Sequence, residues 1–480
     1  MRKFKISTLF NLFKNSFYYG LGSLVQRFLS VILLPIYTRY LTPEDYGIIA
    51  LATIFMTILT TITMSGLTNG ISRYFYYSEK YKITRDEVVS SPLFFVLIIS
   101  SLSAIFLVNF SEHLSRFLFD SARHSNIIEL IAITTLFSNI FTIGQSVLIF
   151  EERVWTVNFI TIINVLIGAI SGIILVAYLD RGVSGVYEAS LITTILTSVI
   201  VFFVALRRYK FKYNYPLLLK QLRFSMPLMV AVFCFFFIDS SDRYMLKLFV
   251  PLSEVGLYNI GYQFGLLMML FVGGFSAAWP PYYHKNNQND EGQTICAEIL
   301  TSYLVIALPL TVILSFVSPI IINILTPNSF HSSYTIVPYV ALAYMLKGPY
   351  IIFLMGLIMK NKTSWQLYLE AFAAIANILL NFALIPIIGR EAAAITTLIS
   401  YAIMAVGSYI LVNRINPINN IEVMRISIFI IIGAMFSISS LLFFCNEYNA
   451  LFVFIPPVLF LLIVYFFFKK NFDYILSRII

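Results

Sequence analysis

Cysteine, histidine and charge are scarce in this chain, and each shortage excludes a class of protein. The 3 cysteines, Cys234, Cys296 and Cys445, are far apart and form no CxxC pair, which excludes a disulfide framework and a thiolate metal cluster. The 4 histidines, His113, His124, His284 and His331, stand at no ligand spacing, so no metal or other cofactor is implied. Charged residues make up 11% of the chain and apolar residues 59%, a balance that suits neither a disordered polypeptide nor one water-soluble core. The net charge of +9 is spread over short connections rather than gathered in one domain, so nucleic acid is not an expected partner.

What the chain has in abundance is long apolar runs. Fourteen can be read, at 17–36, 46–66, 88–108, 127–149, 157–179, 183–206, 226–249, 256–278, 296–316, 335–358, 364–385, 392–412, 426–445 and 450–468. Each is long enough to cross the ~30 Å hydrocarbon core of a bilayer as a helix. Barrel strands would show a period of two instead, and a helix satisfies its own backbone in lipid. The expected fold is therefore an all-α polytopic membrane protein. No connection approaches the ~50 residues of a separate domain, which places the function within the membrane.

The first span carries no cleavage site and is expected to stay in the mature chain. Before it, Lys3, Lys5, Leu9, Phe10, Phe13 and Lys14 fit a short amphipathic helix on the membrane face. Lys and Arg number 23 on the side that holds both termini and 7 on the other. Both termini are thus expected in the cytoplasm, because positive loops resist translocation.

Comparing the chain with itself reveals a duplication. LTPEDYGI (41–48) matches VPLSEVGL (250–257) in placement, EASLITTIL (188–196) resembles EAAAITTLI (391–399), and Trp155 and Trp365 each precede the fifth span of their half. The order is the same and the offsets run from 203 to 210. Two parallel six-span lobes follow. Their expected limits are 1–206 and 226–412, with a linker at 207–225 and spans 13 and 14 in an appendix at 413–480.

Charges within spans are costly, at least ~2.5 to 3.5 kcal/mol on insertion scales, and so need a polar cavity or a partner. Arg27 lies mid-span in span 1 and Lys347 mid-span in span 10. Both are candidate ligands for an anionic headgroup. Asp239, Asp242, Arg243 and Lys247 crowd the outer half of span 7. Asp242 and Arg243 are adjacent and are not expected to face each other, whereas Asp239 and Arg243, four apart, can pair. Glu188 and Glu370 lie near the starts of spans 6 and 11, where a solvated or capping role is expected and proton coupling is the functional alternative.

Four passages, LPIYTRYLTPEDYGI (34–48), DRYMLKLFVPLSEVGLY (242–258), WPPY (279–282) and NILLNFALIPIIGREAAAITTLISYAI (377–403), together resemble polysaccharide biosynthesis flippases. These are the O-antigen and capsule repeat-unit translocases of the multidrug/oligosaccharidyl-lipid/polysaccharide exporter superfamily. The resemblance implies two lobes around a cationic cavity and alternating access. It also implies a cargo of undecaprenyl-diphosphate-linked oligosaccharide, membrane lipid and polysaccharide polymerase machinery as partners, and a proton, sodium or membrane-potential driving force. By position, Arg27 matches the family's cationic site in span 1, and Asp242 with Arg243 its Asp-Arg pair in span 7, making Arg243 a substrate-binding candidate. An ion-coupled drug or metabolite antiporter of the same superfamily is the alternative. A glycan-transferring enzyme would need placed carboxylates under a covering loop, and a scaffold has no sequence signature.

Overall fold

The computed structural model describes residues 29, 32–286, 292–359, 362, 364–415, 423–445 and 454–466. Arg27, the basic N-terminal segment, most of span 1 and the C-terminal tail lie outside the described residues, as do the side chains of Cys234, His284 and Cys445.

Among the described residues every regular element is a helix, as the apolar runs require. Ten are long and apolar enough to cross a membrane, and a bent pair makes an eleventh. Three of the fourteen expected crossings remain. Span 1 lies mostly outside the described residues, span 7 is a 35-residue helix treated below, and the described part of span 14 is the shorter helix Ile455–Phe466.

The chain divides into two compact units, Met1–Phe233 and Cys234–Ile480. In the first, α1 (Pro43–Met64) is followed by α2 (Leu67–Tyr76), α3 (Arg85–Asn109), α4 (Ser111–Phe119), α5 (Ser125–Phe150), α6 (Val154–Gly172) and α7 (Gly182–Val204). Sequence dictates the start of α1. Thr42 caps it, accepting from the Asp45 amide at 3.2 Å while the Asp45 carboxylate accepts from the Thr42 amide at 2.8 Å, and Pro43 occupies the first turn. Thr42→Ala should cost about 1 kcal/mol, measured as a fall in the thermal unfolding midpoint of the purified protein.

α8 (Tyr215–Phe249) runs from the first unit into the second. The second unit continues with α9 (Leu252–Gly265), α10 (Met268–Asn286), α11 (Gly292–Leu325), α12 (Val337–Met359), α13 (Ser364–Ile388), α14 (Arg390–Ile415) and α15 (Val423–Cys445).

Packing repeats between the units as the duplication requires. In the first, α5 lies against α3 and α7, and α6 against α7; in the second, α12 lies against α11 and α14, and α13 against α14. The last helix of each set is entered through a glycine in the left-handed region, Gly182 at φ 55° and Gly389 at φ 79°, where a side chain would be strained. Polar side chains bind the helices together. Asn139 on α5 donates to Thr63 on α1 and Ser100 on α3, both at 2.8 Å, and Thr396 on α14 donates to Asn381 on α13 at 2.7 Å. α15 packs on α11 and α12, and its Phe429 stacks on Phe460 at 5.8 Å.

Three local expectations need correction. The segment 207–225 is no bare connector, because α8 begins at Tyr215 and the stretch before it is tied to α3. Ser90 donates to the Lys212 carbonyl at 2.7 Å, and the Asn214 amide donates to Ser91 at 2.9 Å. Tyr209 donates to Glu151 at 2.8 Å, and burial, with that carboxylate, pushes its phenol well above its usual range. Hydropathy does not see the first turns of α8 because they alternate charge with the buried Leu217, Leu218 and Gln221.

Span 8 is not one straight helix. α9 and α10 meet at a 46° bend. There the amides of Leu267, Met269 and Leu270 bond back over three residues, to Phe264, Leu266 and Leu267, and this tighter turn redirects the axis.

Finally, Glu370 is not solvated. It is 3% exposed, because the Tyr350 hydroxyl of α12 covers its carboxylate.

Candidate functional site

A buried polar cluster lies within the second unit, where α8, α9, α12 and α14 meet. Asp242 is fully buried and Arg243 is 8% exposed, so the pair must be satisfied by protein. The adjacent residues do pair, contrary to the helical-spacing expectation. The Asp242 carboxylate folds back to accept from the Arg243 amide at 2.8 Å, which brings the same oxygen within 3.2 Å of Arg243 Nη1. Its other oxygen accepts from the Tyr258 hydroxyl.

Arg243 spreads its remaining contacts over two helices. Its Nε donates to Asn259 Oδ1 at 3.2 Å, its Nη1 to the backbone carbonyl of Asp239 at 2.9 Å, and its guanidinium lies 4.2 Å from the centre of the Tyr262 ring. The reach toward Asp239 thus ends on main chain, while the Asp239 carboxylate accepts from Tyr401 on α14 at 2.6 Å. The hydroxyls of Tyr262 and Tyr344 are 2.6 Å apart. A ring of tyrosines on three helices therefore encloses one acid-base pair and leads to a second acid.

Lys347, one turn beyond Tyr344 on α12, places its ammonium 5.9 Å from the Tyr344 ring and 5.7 Å from the Tyr401 ring. It is half-buried, so the mid-span cation sits at the edge of the same cluster. Lys247 is half-buried in the last turn of α8, where a cation suits the helix dipole. The two glutamates lie elsewhere. Glu188 on α7 is bound by Arg181 through two contacts at 2.8 and 3.2 Å near the end of its helix. Glu370 accepts from Tyr350 and, at 2.9 Å, from Gln366.

Residues 36–335, more than half of the chain, match the family model described as polysaccharide biosynthesis protein. The chain belongs to that family. A relative, Lsg locus putative protein 1 of Haemophilus influenzae, is 23% identical over 351 residues, which cover 71% of this chain and 83% of that one. Two solved structures share the fold. The lipid II flippase MurJ in an inward closed conformation aligns with a TM-score of 0.70 at 16% identity, covering 95% of this chain and 99% of that one. An inward-facing multidrug resistance MATE family transporter of the MOP superfamily aligns with a TM-score of 0.65 at 15% identity, covering 84% and 95%.

In this polysaccharide biosynthesis protein, sequence reasoning finds the charges of the cluster but misses Tyr258, Asn259, Tyr262, Tyr344 and Tyr401. A partial signal exists, since Tyr258 and Tyr262 are four apart and share a face of α9 with one another. Among the described residues no group of three His, Cys, Asp or Glu side chains is arranged to hold a metal ion. The chemistry available to the cluster is reversible charge pairing and proton sharing within a span.

Proposed function

We propose that the chain is a flippase that carries undecaprenyl-diphosphate-linked oligosaccharide from the cytoplasmic to the outer leaflet of the bacterial inner membrane by alternating access, for O-antigen, capsule or exopolysaccharide assembly. One observation carries this reading: a polysaccharide biosynthesis family match falls on a chain built of membrane-crossing helices with an acid-base cluster inside one unit. Saccharide assembled on the cytoplasmic leaflet must cross the bilayer to reach the surface, and a chain built of such helices suits that step. The MurJ-like fold supports the same reading.

On this reading both termini lie in the cytoplasm, as the distribution of Lys and Arg favours. Arg27 and Lys347 neutralise the cargo diphosphate. Arg243 is bound on two of its nitrogens and is assigned, with Asp242 and Asp239, to the clamp that holds α8, α9 and α14 and couples an ion to their movement.

The test has two arms. Cells lacking the chain should accumulate lipid-linked oligosaccharide on the cytoplasmic leaflet and lose the surface polysaccharide. That accumulated lipid, placed in vesicles with the purified chain, should change leaflet, more slowly with Arg27→Ala or Lys347→Ala than with wild type and less slowly with Arg27→Lys. Surface polysaccharide loss without any translocation in vesicles would point to a scaffold and end the flippase reading. Wild-type rates in both Arg27 variants would remove that residue from the site.

A further inference from the structure

The first unit holds a cavity that the cluster described above does not use. α2 is a ten-residue helix between two membrane-crossing helices, α1 and α3, so it lies at a membrane face. Leu67, Gly70, Ile71, Tyr74 and Phe75 are buried at helical spacing on one side of it. Asn69, Arg73, Tyr76 and Tyr77 are therefore turned to the other side, and the following turn adds Lys80 and Tyr81. These six, with Phe224 and Leu228 of α8, line an open pocket of about 640 Å³, within the range that takes small ligands.

Its chemistry is specific. Tyr76, Tyr77 and Tyr81 are 57%, 54% and 41% exposed; tyrosine is common at a membrane face, and here three rings line one depression together with Arg73 and Lys80. The Arg73 guanidinium is held 4.3 Å over the Phe224 ring, and Tyr81 is held against Tyr74 at 5.3 Å, so a cation and an aromatic face are positioned before any ligand arrives. Flat apolar faces stack on the C–H faces of sugar rings, and Arg with Lys binds phosphate.

A second cavity of about 400 Å³ shares Asn69 and continues along α1, past Thr61, Thr60 and Thr57. Thr61 and Thr57 donate their hydroxyl protons to the carbonyls four residues back, both at 2.8 Å. Their oxygens are thereby left as acceptors for hydroxyl groups of a ligand. From Met64 to Thr57 the helix descends about 10 Å, so acceptors line a track leading from the membrane face into the span.

We infer that the tyrosine-arginine pocket of α2 is a docking site for the sugar-diphosphate head of a lipid-linked saccharide, with Tyr77 stacking on a sugar ring, Arg73 and Lys80 taking the phosphate charge, and the threonine track receiving sugar hydroxyls. This rests on the flippase reading, and deepens it by placing cargo capture in the first unit at the face expected to be cytoplasmic.

The test uses the full chain in vesicles, with the lipid-linked oligosaccharide that accumulates in cells lacking it as the probe. At subsaturating cargo, Tyr77→Ala and Arg73→Gln should each lower the initial translocation rate about tenfold, the affinity carried by one good contact. Tyr77→Phe should stay within about twofold of wild type because the stacking face is kept, and Arg73→Lys should fall between. At saturating cargo the variants should approach the wild-type rate, which a misfolded or immobilised protein would not do. Wild-type rates in all four variants overturn the site while leaving the flippase reading intact. Loss in Arg73→Gln with none in Tyr77→Ala makes the pocket an anionic phospholipid site and overturns the sugar assignment. No translocation by the wild-type protein overturns the flippase reading and this site with it.

Discussion

Arg243→Ala should destabilise the second unit by about 3–5 kcal/mol, the cost of leaving one member of a buried ion pair without the other. The magnitude follows from what remains behind. Asp242 is fully buried, and without the guanidinium its carboxylate keeps, among the described residues, the Tyr258 hydroxyl and a backbone amide. Asn259 loses the guanidinium donor at the same time, and the Asp239 carbonyl loses its side-chain contact. The double variant Asp242→Asn/Arg243→Gln should recover much of the loss, because it removes both charges and keeps hydrogen-bonding groups of similar shape. Unfolding of the purified protein in detergent, followed for Asp242→Asn, Arg243→Gln and the double, gives the coupling directly. Losses that simply add would show that the two side chains do not depend on each other, and the clamp would have to be abandoned.

The second large effect is expected at Gly261. A Cβ built there overlaps the backbone carbonyl oxygen of Ser333 and crowds the side chain of Ile336. Ser333 lies in the short helix Asn328–Ile336, which packs on α9, so the obstruction is main chain and cannot rotate away. Replacing a helical glycine ordinarily gains up to about 1 kcal/mol, but overpacking costs about 1–3 kcal/mol or more. Gly261→Val should therefore lose about 3 kcal/mol, read as a lower unfolding midpoint. Gly273 on α10 makes a suitable contrast, since nothing lies within 4 Å of its built Cβ. Gly273→Ala should be neutral or slightly stabilising. A Gly261 variant as stable as Gly273→Ala would mean that α9 and the helix at 328–336 do not approach as closely as described.

Much of this architecture is legible in the chain because lipid leaves few choices. A twenty-residue apolar run has one stable form in a bilayer, and a repeated loop such as LTPEDYGI and VPLSEVGL opens the same element twice. What hydropathy cannot see is helix that continues into water. α8 begins at Tyr215, well before the apolar run that announces it.

The acid-base cluster was half legible. The expense of burying charge draws attention to Asp239, Asp242, Arg243 and Lys347, but beyond the Asp242–Arg243 pair itself the side chains that hold the cluster are uncharged and stand on other helices. Tyr401 lies 162 positions from the Asp239 it binds. Glu370 shows the same limit in reverse, because its place near an expected span end says nothing of the Tyr350 hydroxyl that covers it. The pocket on α2 depends on an amphipathic spacing too short to stand out between two long apolar runs.

The turn joining α9 to α10 has a consequence for how lipid can surround the second unit. Closing backbone bonds over three residues frees carbonyls that an unbroken helix would occupy, and hydrocarbon offers such oxygens nothing. Gly265 and Met268, on either side of the turn, are buried. The elbow must therefore be turned toward protein or water, and acyl chains can touch this segment only along its straight arms.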